Sequence, residues 1–350
     1  MSEKVHVGIL GATGAVGQRF IQLLDGHPWF KVTAVAASER SAGKPYCEAA
    51  TWRMDSPMPK EVARLTVQLC EPNLPCDLVF SGLDSNVAGP FEAAFAGSGY
   101  PVISNSKNHR MDDDVPLLIP EVNPEHTAII PHQRESRGYD RGFIATNPNC
   151  STIGLAMALK PLKDRFGLEQ VSVTTLQALS GAGYPGVSSL DILDNVLPFI
   201  VEEEEKMEHE PLKLLGDCDG LSITPASISI SAQCNRVHVH DGHLECVSVA
   251  LREAADVDAV ADMYRSFTGL PQEMDLPFAP KQPIVVRDEP DRPQPRHDRN
   301  TEAGMSVVVG RIRPCKVLDL KMLVLVHNTI RGAAGTAILN GELLKEQGYF

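Results

Sequence analysis

The chain has 350 residues, 43% of them hydrophobic and 22% charged, and a formal net charge of −13. That length is too great for one small core and predicts two domains, while the acidic balance argues against nucleic acid or an anionic membrane surface as a partner. No apolar run approaches the roughly eighteen residues that span a bilayer, and the opening MSEKVHVGIL reads as a first strand rather than a cleavable leader, so a cytoplasmic protein is expected.

In chain order, Val5 to Leu10 reads as a strand, Ala15 to Leu24 as a helix, Lys31 to Ala37 and Asp77 to Ser81 as strands, Val87 to Ala96 as a helix and Pro101 to Ser104 as a strand. Strand–helix alternation of this kind implies a parallel sheet with right-handed crossovers, an α/β Rossmann-like domain. Between the first strand and helix lies Gly11-Ala12-Thr13-Gly14-Ala15-Val16-Gly17. Its glycines permit a tight turn, and the helix N-terminus offers unpaired N–H groups to a pyrophosphate. The spacing is G-x-x-G-x-x-G rather than the commoner G-x-G-x-x-G. After the second strand stand Ser38-Glu39-Arg40-Ser41. The arginine and serines suit the 2′-phosphate of NADP, whereas a carboxylate suits the free ribose of NAD; NADP is expected, with NAD left open.

Phe143 to Thr146 reads as another strand and runs through Asn147-Pro148-Asn149-Cys150-Ser151-Thr152 into a helix from Ile153 to Leu162. A cysteine at a helix start meets the positive end of the dipole, which favours a thiolate nucleophile, and N–H groups of the same turn can hold an oxyanion. The other seven cysteines (47, 70, 76, 218, 234, 246, 315) are scattered without metal-ligand spacing and read as free thiols.

Beyond Gly142 the strands lengthen: Val171 to Ala178, Leu221 to Ala232, His243 to Leu251, Ser306 to Ile312 and Leu318 to His327. They predict an α+β domain with a mostly antiparallel sheet and helices on one face. A nucleophilic cysteine needs an acid or base nearby. His238, His240 and His243 are the candidates; alternation puts the first two on one face, and a turn at Asp241-Gly242 would expose the third. No cysteine or carboxylate completes a ligand pattern around them, so no metal is expected. Leu270 to Asn300, rich in proline and arginine, reads as an irregular loop, and Thr329 to Glu346 as a helix that returns to the first domain. The domains are therefore drawn as residues 1–149 with 328–350, and 150–327.

These segments resemble aspartate-β-semialdehyde dehydrogenases, in particular their archaeal and fungal-like branch. The likeness runs from GATGAVG through SNSKNHRM, NPNCST, QALSGAGYPG, EEEEKMEHE, CNRVHVHDGH and RPQPRHDRN to HNTIRGAAG. It implies a nucleotide-binding domain joined to a catalytic and dimerisation domain. It also implies NADPH-dependent reduction of aspartyl-4-phosphate to aspartate-4-semialdehyde, with release of inorganic phosphate, on the route to lysine, threonine, methionine and isoleucine. By the resemblance Cys150 is the nucleophile, and His243, seven positions after the carboxylate-binding Arg236, is the acid/base. Gln177 sits beside the cysteine. Arg110 and Lys206 receive the phosphate, Glu203 the substrate amino group, and Asn149 completes the substrate site. Glutamates fill 202 to 205, so Lys206 alone sets the register of Glu203. Cofactor contacts fall on Gly11, Thr13, Gly14, Ala15, Val16, Ser38, Arg40, Ser41, Ser81, Gly82, Ser180, Gly181 and Asn328. A homodimer or homotetramer is implied. The rival readings are a malonyl-CoA reductase-like thioester reductase and a non-catalytic dinucleotide sensor.

Overall fold

A computed structural model describes residues 4–350. Six strands form the first sheet: β1 (Val5–Leu10), β2 (Phe30–Ala37), β3 (Gln68–Leu69), β4 (Leu78–Ser81), β5 (Pro101–Ser104) and β6 (Phe143–Thr146). They pair in the order β3-β2-β1-β4-β5-β6, every ladder parallel. The short apolar runs IVLF-rich in β4 and β5 are buried throughout, as strands covered on both faces must be. Strand order reverses between β1 and β4, and the glycine loop leaves β1 at that crevice, where such sheets bind their ligands.

The second sheet comprises β7 (Leu168–Gln177), β10 (Ser229–Arg236), β11 (His243–Leu251), β12 (Ile284–Arg287), β13 (Val307–Pro314) and β14 (Leu320–Val326), with a small ribbon of β8 (Asp217–Cys218) and β9 (Ile223–Thr224) apart from it. Its order is β10-β7-β11-β14-β13-β12. The three inner pairings are antiparallel, and the two outer ones, β10 with β7 and β12 with β13, are parallel. The buried Cys150–Phe166 helix lies on one face of this sheet, with Leu155, Leu159 and Leu162 in a core shared with Val173, Val247 and Val324.

Three expectations need correction. The strand read over Leu221 to Ala232 is instead the β8–β9 ribbon, an irregular stretch and then β10, which continues to Arg236. Pro225 has no N–H to give a ladder, and β9 ends at the residue before it. The Leu270 to Asn300 segment is not wholly irregular, since it supplies edge strand β12. Two of its arginines meet at buried Asp298, which accepts from Arg287 Nε at 3.0 Å, Arg292 Nε at 2.6 Å and the Gln294 N–H at 2.7 Å. The closing helix begins with a π turn, Ile330–Ala334, before the α-helix Gly335–Glu346. That α-helix packs Ala337, Ile338 and Leu344 into the core of the first sheet. Among the described residues no helix is long and apolar enough to cross a membrane.

The helix Glu203–Leu214 explains the acidic run. Glu204 and Glu208 accept the N–H groups of Cys234 and Ala232 at 3.0 Å each, closing the open edge of β10. One helical turn rises about 6 Å over four residues, close to the two-residue repeat of a strand, so carboxylates four apart meet alternate N–H groups. Glu203, Glu210 and Lys213 face another way, the two glutamates toward Asn149 and the lysine toward the main chain of residues 110–115.

Candidate active site

Cys150 opens its helix, with Asn149 as the cap. The Asn149 side chain accepts from the Ser151 and Thr152 N–H groups at 2.9 and 3.3 Å, which fixes the turn. The Asn149 N–H is held by Glu210 Oε2 at 2.6 Å. These bonds leave the Cys150 N–H as the first-turn donor without a partner among the described residues. Of the first-turn N–H groups expected to be able to hold an oxyanion, this one alone is left open among the described residues.

His243 begins β11 and is fully buried, not exposed by its turn; His238 and His240 are the exposed ones. Its Nε2 lies 3.2 Å from Cys150 Sγ, and its Nδ1 faces the Ala178 N–H at 2.9 Å. A main-chain N–H can only donate, so Nδ1 is the acceptor and the proton of the neutral ring sits on Nε2, facing the sulfur. Burial, then the Arg236 guanidinium, pull the imidazole down to about 3, so it stays neutral near pH 7.

The sulfur differs from expectation. Cys150 is half-buried in the wall of the cleft, and burial, with Glu203 adding, pushes its thiol up to about 12 against the opposing pull of Arg236 and Arg110. The helix start orients the sulfur, but its burial favours the thiol over the expected resting thiolate.

Arg236 ends β10 directly across from Gln177, with one Nη bonded to Ala178 O at 2.8 Å. Its planar fork has the geometry that a carboxylate matches. Gly181 lies over both groups: a Cβ there would stand 2.8 Å from Arg236 Nη1 and 3.1 Å from the His243 ring. Gln177 is buried with its amide donating to Thr175 Oγ1 at 3.2 Å, and it does not line the cleft. Gly332, in the π turn, packs on the other side of Cys150, where a Cβ would come within 2.9 Å of Cys150 Cβ. The π turn is anchored by the fully buried pair of Arg331 with Glu121.

Arg110 reaches the cleft with Nη1 on Glu210 Oε1 and Nη2 on Asn105 O, each at 2.8 Å, and with Nε unpaired. Beside it, Asn105 accepts from Asn147 Nδ2 at 2.9 Å, which turns its own unpaired Nδ2 into a donor at the cleft wall. Asn105 was missed in the sequence, although it stands inside the SNSKNHRM segment. Glu203 Oε1 accepts from Asn149 Nδ2 at 2.8 Å, and Lys206 Nζ stands 3.6 Å from Glu203 Oε2. Glu203, Lys206, Arg236 and His243 form the layer behind Cys150 rather than the open wall.

The cleft, about 490 Å³, extends from Cys150 to Ala15 and Val16 at the glycine loop. Gly11 adopts φ +72°, and a Cβ on it would meet Gly82 O at 2.7 Å; one on Gly17 would meet Gly11 O at 2.3 Å. The Ala15–Leu23 helix has Gly14 at its cap and no side-chain cap bond, so its first amides are open to an anion. A second depression joins Thr13, Gly14 and Ala15 to Arg40, Ser41, Lys44 and Arg53. This cradle and its basic end fit a phosphorylated dinucleotide, and Lys44 and Arg53 were not singled out in the sequence. Ser38 is exposed outside both hollows, and Ser81 is buried under the loop. Ser180 and Gly181 line the cleft with Asn328, whose amide is tied to Ser180 Oγ and the Gly242 N–H at 2.8 Å each. Across the cleft the Arg53 guanidinium lies 3.2 Å from the centre of the Tyr184 ring.

Residues 6–130 match the family model described as semialdehyde dehydrogenase, NAD binding domain, and residues 159–331 the one described as semialdehyde dehydrogenase, dimerisation domain. The chain is 52% identical over 346 residues to an aspartate-semialdehyde dehydrogenase of Methanothermobacter thermautotrophicus, covering 98% of this chain and 99% of that one. It is 50% identical over 352 residues to one of Schizosaccharomyces pombe, with 98% of each chain covered. Its fold is similar to the crystal structure of aspartate semialdehyde dehydrogenase with NADP from Candida albicans, at a TM-score of 0.92 and 46% identity, over 99% of this chain and 100% of that one.

Proposed function

The chain belongs to the aspartate-semialdehyde dehydrogenase family, and from that membership we propose that it reduces L-aspartyl-4-phosphate to L-aspartate-4-semialdehyde through a thioester on Cys150. The observation that carries this reading is the 3.2 Å contact of Cys150 Sγ with a His243 Nε2 whose proton position is fixed from behind. The cofactor is NADP, held by the amides after Gly14 and by Arg40, Ser41, Lys44 and Arg53.

Arg236 takes the substrate carboxylate and Glu203 its amino group. Arg110 Nε, Asn105 Nδ2 and Lys206 take the phosphate. The Cys150 sulfur attacks the acyl carbonyl, and the Cys150 N–H stabilises the oxyanion. When the C–O bond to phosphate breaks, the thiol proton departs with the phosphate, so the thiol form of Cys150 costs no separate proton acceptor. When bound, NADPH supplies the hydride that turns the thioester into a hemithioacetal. The hemithioacetal collapses to the aldehyde, His243 Nε2–H donates a hydrogen bond to the departing sulfur, and a proton taken up from solvent restores the thiol. In reverse the thiol proton is released to solvent while the same N–H holds the sulfur in line.

The reading places the reaction in the cytoplasm, within the synthesis of lysine, threonine, methionine and isoleucine. It also includes assembly into a homodimer, supported by the match to a dimerisation domain and by the exposed apolar residues Leu190, Val196, Phe199 and Val201. The relatives carry the aspartate reading rather than the malonyl-CoA reductase or the sensor reading. Phosphate-dependent oxidation of aspartate semialdehyde, run separately with NADP and NAD, tests it. Turnover faster with NADP is expected, and no turnover with either nucleotide sinks the proposal.

A further inference from the structure

Lys213 has no task in the chemistry above, yet it is buried, 5% exposed, on the helix face that carries Glu203 and Glu210. Its ammonium donates to Arg110 O at 2.8 Å, Asp112 O at 2.7 Å and Val115 O at 2.8 Å. An ammonium has three protons, so all of its donors are spent on one turn of main chain. Burying an amine costs several kcal/mol unless it is fully bonded, and packing alone would be met more cheaply by an apolar side chain.

The turn it holds is the one that delivers Arg110. On the far side Arg137 pairs with Asp112 at 2.9 Å and with Asp114. On the near side one helix grips Arg110 twice, since Glu210 binds the guanidinium and Lys213, three residues on, binds the carbonyl of the same residue. Fixing both ends of a long side chain removes most of its rotamer freedom.

We propose that Lys213 is a positioning residue for the phosphate subsite: by holding the Arg110 carbonyl while Glu210 holds the guanidinium, it fixes the Arg110 side chain at the cleft wall with its Nε left unpaired. The proposal rests on the reading of Arg110 as a phosphate donor. It assigns Lys213 to substrate affinity at one subsite rather than to the fold at large.

The test is the oxidative reaction with phosphate, aldehyde and NADP varied separately. Lys213→Met raises the KM for phosphate by about tenfold or more, while the KM values for aldehyde and NADP stay within about twofold. Lys213→Arg keeps the charge but not the compact tetrahedral donor set, gives an intermediate rise, and decides the matter if the methionine variant does not fold. An unchanged phosphate KM in a folded variant overturns the proposal, as does a rise shared equally by all three substrates. Arg110→Lys, run in parallel, separates the two ideas: if it leaves the phosphate KM unchanged, the reading of Arg110 fails and not merely the role of Lys213.

Discussion

Glu203 and Glu210 stand seven residues apart on one helix and close on the same residue, Glu203 taking the Asn149 side chain at 2.8 Å and Glu210 its main-chain N–H at 2.6 Å. Two helical turns thus clamp the cap that aims Cys150. Glu210 also pairs with Arg110, so its two oxygens meet only donors. A glutamine would turn its own NH2 onto one of them. Glu210→Gln should lower kcat/KM by on the order of 10- to 100-fold, about 1.4 to 2.8 kcal/mol, and lower Tm, because a broken buried pair leaves an uncompensated group. Steady-state kinetics and thermal melts check this, and wild-type values in both would contradict the clamp.

The thiol of Cys150 is held up to about 12 by burial, and His243 is held down to about 3. In the ligand-free protein, alkylation of Cys150 by iodoacetamide should therefore keep rising with pH past neutrality, without a plateau between about pH 6 and 9. No inflection near the ordinary histidine value of about 6.5 is expected. Peptide mapping of the labelled residue gives the rate, and a plateau from pH 6 upward would show a resting thiolate instead.

Gly181 has no space for a side chain between Arg236 and His243. Gly181→Ala should displace one or both, at an overpacking cost of about 1 to 3 kcal/mol. The loss is expected mainly in kcat and in the KM for the aldehyde, with NADP affinity less affected, and separate titrations of the two substrates check it. Unaltered kinetics would mean that the glycine has no part in spacing the pair.

Glu245 lies two residues beyond His243 on β11, fully buried, and neither carboxyl oxygen has a partner among the described residues. Burial holds its carboxyl well above the usual range, so the folded state keeps a proton that the unfolded chain releases. Stability linked to that proton is complete below about pH 4.3 and drains as pH rises toward the folded pKa. Glu245→Gln removes the dependence and should gain on the wild type between pH 5 and 8, by up to about 1.4 kcal/mol per unit. Chemical denaturation across that range measures the gap, and a gap constant with pH would contradict the buried neutral acid.

Much of this was legible in the sequence for reasons that are local. The parallel sheet shows as short apolar runs alternating with helical patterns, and the glycine loop and Cys150 are each marked by a strand running into a helix. His243 emerged from among three histidines only through the spacing that the family resemblance supplied. What stayed hidden depends on distant pairing or on burial. Asn105, Glu210 and Lys213 gain meaning only when the Glu203–Leu214 helix meets a turn about 100 residues earlier. The dipole argument for Cys150 was sound for orientation but ignored desolvation, which outweighs it. The alternation read through Leu221 to Ala232 gave Pro225 too little weight.

The central claim is that Cys150 carries the acyl group, and it can be tested without the hydride step. Wild-type protein mixed with aspartyl phosphate and no nicotinamide cofactor should release one equivalent of phosphate. Intact and peptide mass spectrometry should then place one aspartyl group on Cys150, removable by hydroxylamine and absent in Cys150→Ala. No adduct, or an adduct on a different side chain, would contradict the account.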